Sequence, residues 1–204
     1  MLVADIAAHE QRARAHPGRR ALHAKGTWCS GTFTATEAAR GLSRAAHLQG
    51  ESIPVLARLS NGGGNPNIPD YVPDVRGLAV SFELPDGSRT DLVAQNAPRF
   101  FSPTTDEFLS LVRANTGRAA AWRMPAFLAT HPKALASLPQ NLPALKPPPS
   151  YGAVDFHTVH AYRWVAADGS VRHTRCSWVS EQPAAHLSQK AAKARASRRP
   201  AWPV

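Results

Sequence analysis

The spacing of apolar positions changes along the chain, and each change marks an element boundary. In residues 2–15, Leu2, Ile6 and Ala7 share one side while Glu10, Arg12 and Arg14 lie mostly elsewhere, which predicts a short amphipathic helix. His16-Pro17-Gly18 ends it. Residues 22–35 are rich in Thr, Trp and Phe and read as a strand. Residues 36–49 place Ala, Leu and Arg at helical spacing, with Gly50 as a C-terminal stop. Residues 53–60 alternate as a strand, and residues 61–66, with three consecutive glycines, read as a loop. Residues 75–84 and 90–96 flank Pro85-Asp86-Gly87 as a hairpin.

The period then becomes helical. Residues 104–107 (Thr-Thr-Asp-Glu) form a capping-box pattern ahead of Phe108, Leu109, Leu111 and Val112, and Gly117 stops that helix. Residues 119–130 and 132–138 are shorter helical pieces, and the proline-rich stretch 139–149 reads as a wrapping segment without regular structure. Residues 156–165 and 171–179 alternate again around an Asp168-Gly169 turn, the strongest local hairpin signal in the chain. Strand-like segments joined mostly as hairpins, with helices between them, predict an α+β fold with an antiparallel sheet curled toward a barrel. A barrel interior can hold one ligand.

Composition narrows the class. At 204 residues with 43% hydrophobic content, the chain is long enough for one domain with its own core. The net charge of +10 favours anionic partners in general without choosing among them. Residues 186–204 contain Lys190, Lys193, Arg195, Arg198 and Arg199 and no acid, and are expected to form a basic, disordered tail beside a domain at residues 1–185. Cys29 and Cys176 form no CxxC pattern, so free thiols in a reducing cytoplasm are expected. The N-terminus lacks the apolar core of a signal peptide, and no apolar run is long enough to span a membrane.

Single residues carry little weight alone. A histidine in a strand, such as His23, is more often a satisfied structural group, although its titration range suits acid–base work near neutral pH. Arg20 and Arg58 read as surface cations, Ser60 as loop chemistry, and Gln95 and Asn96 as residues at a strand end. The glycine loop lacks the lysine and following helix of a phosphate-binding loop.

Their order says more. Arg20-Ala21-Leu22-His23-Ala24-Lys25-Gly26 resembles the segment of haem catalases in which a histidine lies over the haem and an arginine meets a propionate. Residues 57–60 (Ala-Arg-Leu-Ser) resemble the strand whose arginine meets a propionate and whose serine hydrogen-bonds that histidine. Residues 73–82 resemble the family's Asp-x-Arg-Gly-x-Ala-Val-x-Phe strand. Residues 90–101 resemble the segment that carries the distal amide and a haem-lining phenylalanine. Residues 157–169 resemble the hairpin with a proximal-side histidine, here His160. These motifs, in register, are most similar to those of the small catalase-related haem peroxidases.

The resemblance implies haem b as cofactor and hydrogen peroxide or an organic peroxide as substrate, with an organic electron donor as an optional second partner. It implies that His23 moves the peroxide proton, that Ser60 orients His23, and that Arg20 and Arg58 anchor propionates. Leu22, Phe100, Phe101 and His160 are implied as further haem contacts. The distal amide falls on Gln95 by register with Asp91-Leu92-Val93. Asn96 is one residue on, which in a strand is the opposite face. The family's iron ligand is a tyrosinate in an Arg-x-x-x-Tyr helix beyond the hairpin. Tyr71, Tyr151 and Tyr162 lie in no such motif, so the metal ligand is unknown, and a barrel incomplete at its C-terminus, through truncation or a frameshift, is expected. The alternatives are an inactive fragment or small-ligand-binding barrel without the iron ligand and, ranked last, a charge-driven binder of nucleic acid, for which there is no recognition motif. Open strand edges also predict self-association.

Overall fold

The computed structural model describes residues 16–115 and 119–196. The helix expected at 2–15, the stop at Gly117 and the end of the basic tail lie outside the described residues. Four long antiparallel strands lead the fold: β1 (Gly26–Thr34), β2 (Ser52–Asn61), β3 (Arg76–Glu83) and β4 (Arg89–Gln95). Two short strands, β5 (Phe156–Thr158) and β8 (Ser177–Trp178), extend them into a six-stranded sheet of order β1-β2-β3-β4-β5-β8. β6 (Tyr162–Val165) and β7 (Val171–Thr174) form a separate two-stranded ribbon.

The sheet curls. Flat, it would set β1 and β8 roughly 24 Å apart, further than two aromatic side chains reach. Yet the rings of Phe33 on β1 and Trp178 on β8 lie 6.0 Å apart, edge to face. Alternation decides what fills the curl. Ile53, Val55, Ala57 and Leu59 of β2 point into it, opposite Phe82, Val80 and Leu78 of β3, and Phe82 is 0% exposed at its centre. The result is the α+β fold expected, a curled antiparallel sheet with helices.

The β3–β4 turn follows its sequence. Gly87 takes φ +78°, and Asp86 Oδ1 accepts the Ser88 N–H at 2.9 Å. Elsewhere local pattern was overruled. Residues 36–49 do not form one helix: α1 (Glu37–Arg40) is a single turn, followed by a 3-10 turn at Ala46–Leu48. The Ser43 hydroxyl accepts the Ala45 N–H, offering the backbone an alternative to helix, and the turn delivers His47 and Leu48 to buried positions. The second hairpin is cut in two. Buried Thr158 accepts the Cys176 N–H on its hydroxyl, and Arg175 Nη2 donates to the Thr158 carbonyl, so pairing leaves the sheet there and resumes as the ribbon.

Three helices pack along one side: α2 (Thr105–Ala114), α3 (Ala120–Thr130) and α4 (Pro132–Asn141). Thr104 caps α2 by accepting the Glu107 N–H. α4 continues through Pro139 into the stretch expected to be irregular, because fully buried Asn141 ties its end to the Arg99 backbone by two hydrogen bonds. A last helix, α5 (Gln189–Ala196), occupies part of the segment expected as a disordered tail, and its Ala192 is 0% exposed. Both cysteines are free.

Candidate functional site

The face of the sheet that turns away from the core carries the candidate residues. Ser60 on β2 pairs with Gly77 on β3, and Gly77 pairs with Gln95 on β4. This row lies opposite in parity to Leu59, Leu78 and Ala94, which are in the core. Outside the curl, between this face and α2–α4, lies a cavity of about 510 Å3. The ligand-sized space is therefore not inside the barrel, as the fold class alone had suggested. The interior is filled by Phe33, Phe82 and Trp178.

His23 lines that cavity, and its backbone is left-handed at φ 53°, alone in this among the described non-glycine residues. Its N–H donates to the Gly62 carbonyl at 3.0 Å, and its carbonyl accepts from Arg58 Nη2 at 2.8 Å. Its Nδ1 lies 3.0 Å from Ser60 Oγ. The ring rests on Gly77: a Cβ there would stand 2.8 Å from His23 Cε1 and 2.9 Å from Ser60 Oγ. Burial pushes the His23 imidazole below its ordinary range. The Asp74 carboxylate opposes that shift, Arg58 and Arg20 add to it, and a hydrogen bond with the Asn61 backbone opposes it. Burial thus disfavours the charged form of the ring, whose Nδ1 is engaged at Ser60.

Gln95 and Asn96 part company here. Gln95 lines the cavity, and among the described residues its amide makes one long 3.5 Å contact, to the Ala97 carbonyl. Asn96 is committed elsewhere: its Oδ1 accepts the Arg76 N–H at 2.8 Å, and its Nδ2 donates to the Ala144 carbonyl. Leu22, Phe100 and Phe101 line the cavity, and the Phe100 ring lies 5.3 Å from that of Phe108. Arg58 is buried and Arg20 exposed. Among the described residues neither has a carboxylate within ion-pair distance, and each raises the positive potential at the other. His160 is exposed and does not line the cavity.

A haem finds part of what it needs. The cavity size and apolar lining suit a planar macrocycle, and His23 presents an imidazole to it; Arg20 and Arg58, whose guanidinia suit carboxylates, do not line it. No tyrosine lines the cavity. Tyr151 donates to Asn61 Oδ1 at 2.8 Å, and burial is the main cause that pushes its phenol up to about 12, against tyrosinate formation. Among the described residues no cluster of His, Cys, Asp or Glu could hold a metal ion. The cavity lining fits one face of a haem, and the described part of the chain offers no iron ligand.

Sequence reasoning missed Gly77, Asp74 and the helical wall formed by Leu111, Met124, Phe127 and Leu138. Gly77 sits inside a strand pattern, where an isolated glycine signals close approach. For the wall, helical period alone could not say which face meets the sheet.

The Catalase family model matches residues 1–202. The chain is 47% identical over 180 residues to a catalase-related peroxidase of Mycolicibacterium paratuberculosis, covering 88% of this chain and 58% of that one. It is 33% identical over 171 residues to a catalase-related peroxidase of Synechococcus elongatus, covering 80% and 50%. The chain thus spans about half the length of these relatives. In structure it is similar to a bacterial catalase (TM-score 0.82, 23% identity, 96% of this chain and 38% of that one) and to catalase A from Saccharomyces cerevisiae (TM-score 0.80, 24% identity, 97% and 42%).

Proposed function

The chain belongs to the catalase family, and on that premise we propose that it decomposes peroxide at a haem b held between the outer face of the sheet and α2–α4. The observation that carries this reading is the His23 imidazole, seated on Gly77, tied to Ser60 and open to the cavity that also receives Gln95. Arg20 and Arg58 would hold the propionates, and Leu22, Phe100 and Phe101 the apolar surface. When bound, haem supplies the redox chemistry that peroxide cleavage requires.

The chain's own part is proton handling and positioning. His23 Nε2 accepts a proton from one peroxide oxygen and returns it to the other as the bond between them breaks. Ser60 fixes the ring's orientation through Nδ1. The Gln95 amide, with one weak partner, is available to hold the peroxide. Phe108, Phe127 and Leu138 give the cavity an apolar wall.

The test is a haemin titration followed by visible absorption, before and after hydrogen peroxide. Saturation at one equivalent with a peroxide-dependent spectral change supports the proposal. Saturable binding without a peroxide response favours the second reading, a small-ligand-binding member of the family without the iron ligand; its supporting observation is the absence of any tyrosine from the cavity wall. No saturable binding overturns the haem reading.

A further inference from the structure

The left-handed backbone of His23 has a cause that can be followed outward through hydrogen bonds. A non-glycine residue in this region persists only where its surroundings over-determine it. The His23 N–H donates to the Gly62 carbonyl at 3.0 Å, and the Ala24 N–H donates to the Gly63 carbonyl at 3.1 Å. Those two carbonyls belong to a glycine loop in which Gly62 and Gly63 have no side chains to hold them, while Asn61 at its start donates to Asp70 Oδ1 and accepts from Tyr151. What holds it is the segment before β3. Asp74 Oδ2 accepts the Gly63 N–H at 3.0 Å, Asp74 Oδ1 accepts the Val75 N–H at 2.8 Å, and the Val75 carbonyl accepts the Gly62 N–H at 2.8 Å. The approach is tight: a Cβ on Gly62 would stand 3.0 Å from Asp74 Oδ1. Asp74 is in turn anchored through its own N–H to the Leu145 carbonyl at 3.0 Å, and it lines the cavity with His23.

We propose that Asp74 is a positioning residue for His23: by clamping Gly63 and Val75 it fixes the glycine loop whose carbonyls hold the His23 backbone and so seats the imidazole over Gly77. The same carboxylate opposes the lowering of the His23 pKa by burial and by Arg58 and Arg20. The charged groups that face His23 are Asp74 ahead of β3, Arg58 on β2 and Arg20 on the preceding segment. Asp74 is the carboxylate of this set, so its removal leaves only the Asn61 backbone hydrogen bond to oppose burial and both cations. The proposal stands apart from the peroxide reading, because both of its consequences exist in the chain without haem.

The experiment is NMR on the chain as it stands, without added haem, comparing the parent with Asp74→Asn, Asp74→Ala and a control, Asp91→Asn, at an exposed position on β4. Two quantities are read: the titration of the His23 imidazole and the hydrogen exchange of the His23 and Ala24 amides. In both Asp74 variants the proton affinity of His23 falls by roughly threefold or more, and the two amides exchange about tenfold faster. The control changes neither. A His23 titration unchanged in a folded Asp74 variant overturns the electrostatic part, and unchanged amide exchange overturns the clamp. Should neither variant fold, the parent decides: His23 and Ala24 amides as protected as those of β2 support the clamp, and amides exchanging like an exposed loop overturn it.

Discussion

Gln95 and Asn96 are neighbours in sequence and serve opposite sides of the same sheet. Gln95 faces the cavity with its amide nearly free, whereas Asn96 is locked to the Arg76 N–H and the Ala144 carbonyl. The two substitutions should therefore separate. Asn96→Ala leaves a buried N–H unpaired and costs about 1–3 kcal/mol of stability, read by denaturant unfolding. Gln95→Ala leaves the unfolding midpoint near that of the parent and lowers peroxide turnover of the haemin-loaded chain. Equal stability losses in the two variants would contradict this division.

Gly77 leaves no room for a side chain. A methyl group there meets the His23 ring and the Ser60 hydroxyl at under 3 Å, and both lie on structure that cannot retreat far. Gly77→Ala should push the imidazole out of its seat and reduce turnover by about tenfold or more, the scale of an ångström-level misplacement. A shifted His23 ring resonance checks the displacement directly, and an unmoved resonance would refute it.

Acid should weaken the fold. Burial is the first cause that lowers the pKa of His23, His47 and His157 from the ordinary value of 6.5. The unfolded chain then binds more protons than the folded one between each folded pKa and 6.5, so stability falls as pH drops through about 6.5 and the slope vanishes only below the folded values. His47 stacks on Phe82 at 4.6 Å, and its Nδ1 has no hydrogen-bond partner among the described residues. His47→Leu should flatten the dependence, as read in thermal melts from pH 7.5 to 5. An unchanged slope would remove His47 from the cause.

Phe82 closes the curl. Its ring meets Phe33 at 5.2 Å, His47 at 4.6 Å and Trp178 at 6.3 Å, and it is fully buried. Phe82→Ala should cost about 3–5 kcal/mol, among the largest penalties for one core substitution. A loss under about 1 kcal/mol by chemical denaturation would mean that the two edges of the sheet do not depend on this cluster.

Much of the fold was legible in local pattern. Alternation in residues 53–60 and 75–84, and the turn chemistry of Asp86-Gly87 and Asp168-Gly169, marked β2, β3 and both hairpin turns closely. The failures share a cause. Residues 36–49 have helical spacing, but His47 and Leu48 gain more by reaching the core than by staying in a helix. Residues 156–165 alternate throughout, but the Thr158 hydroxyl and the Arg175 guanidinium divert the chain. Neither contact can be read from a local window.

For the candidate site, the sequence determined the chemistry on offer: a histidine, a hydroxyl, two guanidinia, an amide and two phenylalanines, in an order that resembles one family. Strand period also determined that Gln95 and Asn96 must face opposite ways. Only the tertiary structure decided which way. Pairing register set Ser60, Gly77 and Gln95 in one row on the outer face, and helices from later in the chain enclosed the cavity over it. The left-handed turn at His23 likewise depends on Gly62, Gly63 and Asp74, brought to it by the pairing of β2 with β3. Side-chain identity is local, whereas the face a residue presents and the backbone that aims it depend on partners distant in sequence.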